Sequence, residues 1–281
     1  MSIGRPAATV GTTAVEIDVE GLTKAFGEHR VLEGVDLRVC RGEIVAIVGG
    51  SGCGKTVLLN HILGQLAPDS GRIRVADHTR AGAPLVDLAQ LDERERDALH
   101  THWGVVFQRN ALFSGTVYTN FALWLAEVRN LEEAEIEPIA RHALTAVGLP
   151  ADDGFMDGAV DSLSGGMAKR LAIARALSMD PNVIFYDEPT TGLDPTSAAQ
   201  VQGLIYETHI EAASGGARRT TLIITHDKDL LIRLKPRVVM LHEGGVHFDG
   251  PYDAFAAAAS PVIRPYFDLM PALHQRVRSV G

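Results

Sequence analysis

Gly49 is followed by four residues and then by Gly54-Lys55-Thr56. That spacing suits a loop that cradles phosphate. Glycines let successive backbone N–H groups curl into an anion-binding nest, and a helix starting behind the loop adds its positive N-terminal end. In such a loop the Lys55 ammonium reaches the terminal phosphates and the Thr56 hydroxyl ligates Mg2+. A chance match somewhere in the chain is on the order of one in a hundred, given ordinary residue usage. The plain alternative is a Gly-rich turn between a strand and a helix, and the context argues against it. Ile44-Val45-Ala46-Ile47-Val48 is an unbroken apolar run that suits a central parallel strand. Thr56–Leu66 reads as a helix, with Gly64 near its end and Pro68 just beyond.

A second apolar run, Val183-Ile184-Phe185-Tyr186, ends in Asp187-Glu188. The C-terminal ends of parallel strands are where α/β sheets build sites. Asp187 would hold the Mg2+ shell there, and Glu188 could polarise an attacking water as a general base. Alone, an acid pair at a strand end more often just meets solvent; beside a phosphate loop the functional reading outweighs it. His226 follows Leu222-Ile223-Ile224-Thr225, and Gln108 follows Val105-Val106-Phe107. Each stands at a strand end where it could face the terminal phosphate or Mg2+, but spacing alone says little about either.

The elements that must position these residues alternate in type. Val15, Ile17 and Val19 alternate with Glu16, Asp18 and Glu20, the pattern of a half-buried strand. Val35, Leu37 and Val39 alternate in the same way, and Arg72–Val75 reads as a further strand. Asp92–Asp97 is a charged run expected to form a solvated helix face. From Arg109 to Met179 the pattern is helical. Ile136, Ile139, Ala143 and Val147 keep a 3–4 spacing, and Pro138 is expected to kink that helix or begin it. Val238–Leu241 and Val246–Phe248 flank Gly244-Gly245 as a hairpin. Strands alternating with helices imply a parallel α/β sheet.

Composition narrows the function. The 281 residues are 46% hydrophobic, enough for a substantial core. A net charge of −9 argues against a nucleic-acid partner, which usually demands a basic face. Cys40 and Cys53 show neither a disulfide framework nor a zinc spacing, so a reducing, cytosolic setting fits. No apolar run approaches the roughly 18 residues of a membrane span. Met1–Gly11 lacks the apolar stretch of a signal peptide. A membrane role therefore needs another chain to supply the spans.

Taken together the motifs resemble the ABC-transporter nucleotide-binding domain over nearly the whole chain. Gly49-Gly50-Ser51-Gly52-Cys53-Gly54-Lys55-Thr56 resembles its Walker A, Gln108 its Q-loop and Leu163-Ser164-Gly165-Gly166-Met167 its signature. Val183–Glu188 resembles Walker B, Gly192-Leu193-Asp194 the D-loop and His226 the switch histidine, all in family order. The resemblance implies a P-loop NTPase fold, with a parallel α/β core, an antiparallel β subdomain and a helical signature subdomain. It implies a core over 14–108 plus 181–250, helical residues 109–180, an N-terminal tail over 1–13 and a C-terminal extension over 251–281. ATP with Mg2+ would be bound, Thr56, Gln108 and Asp187 serving the metal. Glu188, His226 and Gln108 would serve catalysis, Asp194 would lie at the nucleotide, and Phe26 would stack on adenine. Val57 stands where many relatives carry Ser or Thr, which removes one hydrogen bond to the nucleotide worth about 0.5–1.5 kcal/mol.

The family also implies a second copy. Ser164, Gly165 and Gly166 would contact the γ-phosphate bound to the other subunit, so a head-to-tail pair completes two composite sites. Gly165-Gly166-Met167-Ala168-Lys169-Arg170, Gln108–Phe113 and Ser260–Phe267 resemble the Mla/Mce branch, which energises lipid transport across bacterial envelopes. That branch implies integral membrane permease subunits, an Mce-type lipid-binding subunit, a small STAS-domain subunit, and a place on the cytoplasmic face of the inner membrane. The segment from Leu112-Phe113 to Trp124 would form a groove for a permease coupling helix, alongside an ordinary role in the helical core. Residues 251–281 are either a closing helix with a loose tail or a tail packed on the sister subunit. An ABC ATPase for another substrate, a non-transport ABC ATPase and a P-loop kinase or GTPase are the rivals. The signature argues against the last.

Overall fold

Two antiparallel strands, β1 (Val15–Phe26) and β2 (His29–Cys40), lead into β3 (Ile44–Gly49) and α1 (Lys55–Ile62). β4 (Ser70–Ala76) and β5 (Leu85–Asp87) return to the first pair and complete a four-stranded antiparallel sheet, ordered β2-β1-β4-β5. After α2 (Glu93–His100) and β6 (Trp103–Val106) comes a helical stretch. It comprises α3 (Val117–Arg129), α4 (Glu133–Ala146), the single turn α5 (Asp153–Met156) and α6 (Gly165–Leu177). The second sheet is finished by β7 (Val183–Asp187), β8 (Thr220–Ile224), β9 (Arg237–His242) and β10 (Gly245–Pro251). α7 (Pro195–Ile210) and α8 (Lys228–Leu234) are interleaved, and α9 (Tyr252–Ala257) and α10 (Ile263–Leu269) follow. The structure is a computed structural model and describes residues 14–211, 216 and 218–271. The expected N-terminal tail, 1–13, and residues 272–281 of the expected C-terminal extension lie outside the described residues.

The six-stranded sheet has the order β10-β9-β3-β8-β7-β6. All its pairings are parallel except the expected hairpin, β9 with β10. β3, β7 and β8 are apolar on both faces because both faces are covered, as parallel strands require. Alternate residues of one strand therefore enter different cores. Val45 and Ile47 pack toward the antiparallel sheet and α1, whereas Ala46 and Val48 pack with Phe255, Ile263 and Phe267 of the C-terminal helices. Likewise Val183 and Phe185 join the inter-sheet core, and Ile184 and Tyr186 join the core beneath the helical stretch. The order aligns the C-terminal ends of β3, β7 and β8, with Asp187 level with Ile224.

Three expectations need correction. The start of β1 is buried on both faces: Glu16 and Asp18, assigned to solvent by the alternation, are 2% and 3% exposed. Neighbouring strands supply their partners. Asp18 accepts from Arg38 and Arg74, while Glu16 meets His78 at 2.6 Å and Arg41 at 3.5 Å. Buried charges survive only when paired in this way. Second, α4 does not begin at Pro138 but runs through it. It starts at Glu133, where Glu132 and Glu135 form a capping box. Pro138 and Ala134, whose carbonyl loses its helical donor, are both exposed, so water can satisfy that carbonyl. Third, α1 ends about a turn earlier than expected, at Ile62. Gly64 takes φ +69°, and the Gln65 amide reaches back to the Asn60 carbonyl at 2.8 Å, which closes the helix as a Schellman turn. The charged run behaves as expected: Asp92 and Glu95 box the start of α2, and only Leu99 of that helix is buried.

Candidate functional site

The loop between β3 and α1 has a shape only glycine permits at two places. Gly49 has φ +152°, and a Cβ there would lie 2.5 Å from the Leu241 carbonyl oxygen. Gly54 has φ +99° and would strike Leu32 at 2.6 Å. Gly54 is also the N-cap of α1 and offers no capping side chain, so the first amides of that helix stay open to an anion. The Lys55 ammonium folds over the loop and donates to the carbonyls of Gly49, at 2.9 Å, and Gly50, at 3.0 Å. Thr56 is exposed beside it, and Val57 packs partly into the inter-sheet core. Ser51 and Gly52 form the open rim of the loop. Cys53 and Cys40 are both free thiols.

The acid pair and the histidine come together at the adjacent strand ends. The Glu188 amide donates to the Ile224 carbonyl at 2.9 Å, which places Glu188 against the turn that carries His226. His226 Nδ1 lies 2.7 Å from Glu188 Oε2, and the Thr191 hydroxyl donates to the same oxygen at 3.2 Å. Glu188 has φ +47°, a left-handed conformation costing a non-glycine residue about 1–3 kcal/mol. These contacts hold it there. Asp187 is 7% exposed, and its Oδ1 is buried without a hydrogen-bond partner. Burial, then the Glu188 carboxylate, raise the Asp187 pKa above its ordinary value, while the Lys55 and Lys169 ammoniums pull it down. An orphaned buried carboxylate oxygen at the end of β7 fits a cation. Among the described residues no three His, Cys, Asp or Glu side chains gather as a metal cage. Mg2+ needs no such cage, because it takes one or two protein ligands together with substrate phosphates and water.

The other expected residues fall into two groups. Gln108 lies just past β6 with an exposed side chain, and its backbone carbonyl accepts from Lys169 at 2.9 Å. Phe26 ends β1 half-exposed, and Lys24 lies over its ring at 5.6 Å. Among the described residues no hydrogen bond or ion pair joins Ser164, Gly165 and Gly166 to Gly49–Thr56 of the same chain. Ser164 caps α6 by accepting from the Met167 amide at 3.3 Å. Gly166 packs so tightly on α7 that a Cβ would sit 2.4 Å from the Ser197 hydroxyl. Asp194 caps α7 through the Thr196 and Ser197 amides, both at 3.0 Å. Hydrogen bonds, led by the Ser197 side chain, lower its pKa.

Sequence reasoning missed three supporting residues. Asp227 is buried and accepts from Thr190 and Gln202, both at 2.8 Å, while capping α8, so it braces the turn of His226. An Asp directly before an apolar helical run is an N-cap signal and could have been read. Lys169 was visible only as part of the stretch Gly165–Arg170 that resembles the Mla/Mce branch. Burial pulls its ammonium down to about 8, against the Asp187 charge. Tyr266 accepts from the Gly49 amide at 3.0 Å. Burial pushes this phenol up to about 12. Its sequence carries no local signal of that contact.

A cavity of about 270 Å³ opens between β6 and the helical stretch, lined by residues including Gln65, Trp103, Phe107, Phe113, Trp124 and Arg175. Phe113 and Trp124 are 41% and 39% exposed, and the Arg175 guanidinium lies over the Phe113 ring at 5.3 Å. No described helix is long and apolar enough to cross a membrane.

Comparison with known proteins places the chain in a family. Residues 32–191 match the family described as ABC transporter. The probable ribonucleotide transport ATP-binding protein mkl of Mycobacterium tuberculosis is 35% identical over 255 residues, covering 90% of this chain and 67% of that protein. The intermembrane phospholipid transport system ATP-binding protein MlaF of Haemophilus influenzae is 33% identical over 235 residues, 83% of each chain. Among solved structures, the dimeric ATP-binding cassette MJ0796 bound to ADP and Pi superposes with a TM-score of 0.71 at 27% identity, covering 84% of this chain and 98% of that one. The chain belongs to the ABC transporter ATP-binding proteins, and its activity is ATP hydrolysis coupled to transport.

Proposed function

We propose that two copies of this chain close head-to-tail on two ATP molecules and energise phospholipid transport through a permease at the cytoplasmic face of a bacterial inner membrane. The observation that carries the catalytic part is the 2.7 Å contact between Glu188 and His226 beside the orphaned Asp187 oxygen. Lys55 and the open amides of α1 hold the phosphates. Glu188 takes a proton from the attacking water, and His226 orients the Glu188 carboxylate and faces the terminal phosphate. Thr56, Asp187 and Gln108 hold Mg2+, which when bound neutralises charge on the phosphate oxygens. Phe26 offers its free ring face to adenine.

The paired arrangement rests on the signature residues, which among the described residues make no hydrogen bond to the loop of the same chain. The Ser164 hydroxyl and the start of α6 form a second anion site. It needs a phosphate presented by another copy, and the dimeric MJ0796 cassette supports that reading. The cavity at Phe113 and Trp124 supports docking of a permease helix, because a half-exposed aromatic pair beside Arg175 is typical of an interface core. The phospholipid reading rests on the likeness to MlaF over most of both chains, together with the Met167–Arg170 and Ser260–Phe267 stretches. It brings with it an Mce-type lipid-binding subunit and a small STAS-domain subunit as further partners. The likeness to mkl favours a nucleotide cargo instead.

Purification of the complex from membranes, reconstitution into phospholipid vesicles and measurement of ATP turnover test this. ATPase activity that rises with phospholipid acceptor or donor, together with lipid that co-purifies, is the expected result. Stimulation by ribonucleotides and indifference to lipid would move the assignment to the second cargo.

A further inference from the structure

Lys169 is only 2% exposed, on the face of α6 turned into the protein. Its ammonium donates to two consecutive backbone carbonyls, Phe107 and Gln108, each at 2.9 Å. Among the described residues it has no carboxylate in ion-pair contact, although Asp187 is near enough for its charge to favour the ammonium. A buried charge without a paired counterion is expensive, and a buried apolar side chain would fill the same space more cheaply. What the cation supplies is direction. Two carbonyls turned toward one ammonium fix the peptides on either side of the Gln108 α-carbon, and so the direction in which the Gln108 side chain leaves the backbone. α6 begins at Gly165, with Ser164 as its cap, so the residue that pins Gln108 lies little more than one turn from the signature.

We propose that Lys169 is a positioning residue that ties the signature helix to the Gln108 peptide, so that Gln108 and Ser164–Gly166 move as one body. The inference rests on the ATPase reading above and adds a mechanical link to it. A permease that shifts the segment after Gln108 then carries the signature with it. Mg2+ binding at Gln108 is in turn felt by the half-site offered to the second copy.

Lys169→Met keeps the volume and removes both hydrogen bonds; Lys169→Gln keeps a donor without the charge. Both are made in the full chain, and binding of a fluorescent ATP analogue is measured in EDTA and then across a Mg2+ titration. Hydrogen exchange of segment 107–113 is followed in the nucleotide-free protein. The expected Lys169→Met protein binds nucleotide in EDTA like the parent. It needs roughly ten-fold more Mg2+ for the Mg2+-dependent gain in affinity, the scale seen when a ligand's supporting partner is lost. It also exchanges faster over 107–113, and Lys169→Gln, which keeps a donor without the charge, lies between the parent and Lys169→Met in both. A parental Mg2+ titration in Lys169→Met overturns the proposal. So does an equal loss of affinity with and without Mg2+, which marks a purely structural role. Should Lys169→Met fail to fold, Lys169→Gln decides by the same two readouts: an intermediate Mg2+ shift with faster exchange supports the link, and parental values reject it. A parent chain that binds no nucleotide would instead remove the ATPase reading beneath it.

Discussion

The Tyr266 hydroxyl accepts a hydrogen bond from the Gly49 amide at 3.0 Å, across 217 residues of sequence. The first glycine of the phosphate loop is thus held from two sides. The Leu241 carbonyl crowds its α-carbon, and a phenol from α10 satisfies its amide. Residues expected to close the fold or to pack on a sister subunit reach the catalytic loop. α10 is anchored by Phe267 packed edge-on against Phe255, a residue with no exposed surface.

Tyr266→Phe tests this contact with little change in packing. It leaves the Gly49 amide buried and unpaired, a loss of about 1–3 kcal/mol. The expected outcome is a lower melting temperature and a KM for ATP raised several-fold, with kcat less affected, because the lesion is in binding geometry. Steady-state kinetics that match the parent would show that the loop holds its shape without the phenol.

Glu188→Gln keeps the size of the side chain and removes its basicity. Turnover should fall by about 10²–10⁴-fold, the usual worth of a general base. Nucleotide binding should persist, and closed dimers should accumulate. Single-turnover hydrolysis and size-exclusion chromatography with ATP read both. Parental turnover in this variant would remove Glu188 from the base role.

Three imidazoles, His209 buried and His100 and His102 half-buried, make the fold sensitive to acid. Burial holds His100, His102 and His209 below their ordinary pKa. As pH falls past about 6.5, the unfolded chain takes up protons that the folded chain refuses, so stability declines with acid and is unaffected by these groups at higher pH. Melting temperatures should drop between pH 7.5 and 5.5. His209→Gln, which replaces the imidazole beside Thr221, should flatten that drop. An identical pH slope in the variant would show that another group governs it.

How much of this was legible in the sequence depended on how local the cause was. Gly49–Thr56, Asp187-Glu188 and His226 were readable because phosphate chemistry demands particular residue types at strand ends. The parallel sheet was readable because β3, β7 and β8 are apolar without alternation. Glu16 and Asp18 were misassigned because the period-2 rule sends polar residues to solvent. Their burial is decided by Arg38, Arg41, Arg74 and His78, which only the folded sheet brings to them. Pro138 looked like a helix boundary because the rule weighs the missing N–H. It does not weigh the exposure of the carbonyl that loses its donor. Tyr266 and Lys169 escaped for the same reason as the buried acids: their partners are distant in sequence and, for both, backbone atoms, which leave no trace in residue identity.

The most direct test of the composite site uses heterodimers of a Lys55→Ala subunit with a Ser164→Arg subunit, both also carrying Glu188→Gln so that bound ATP is retained. Each single-lesion homodimer damages both sites. In the heterodimer both lesions fall in one site, and the other combines the intact Lys55 of one copy with the intact Ser164 of its partner. The account predicts about one trapped ATP per heterodimer and essentially none in either homodimer, as two-fold pairing requires. Heterodimers as empty as the homodimers would contradict it.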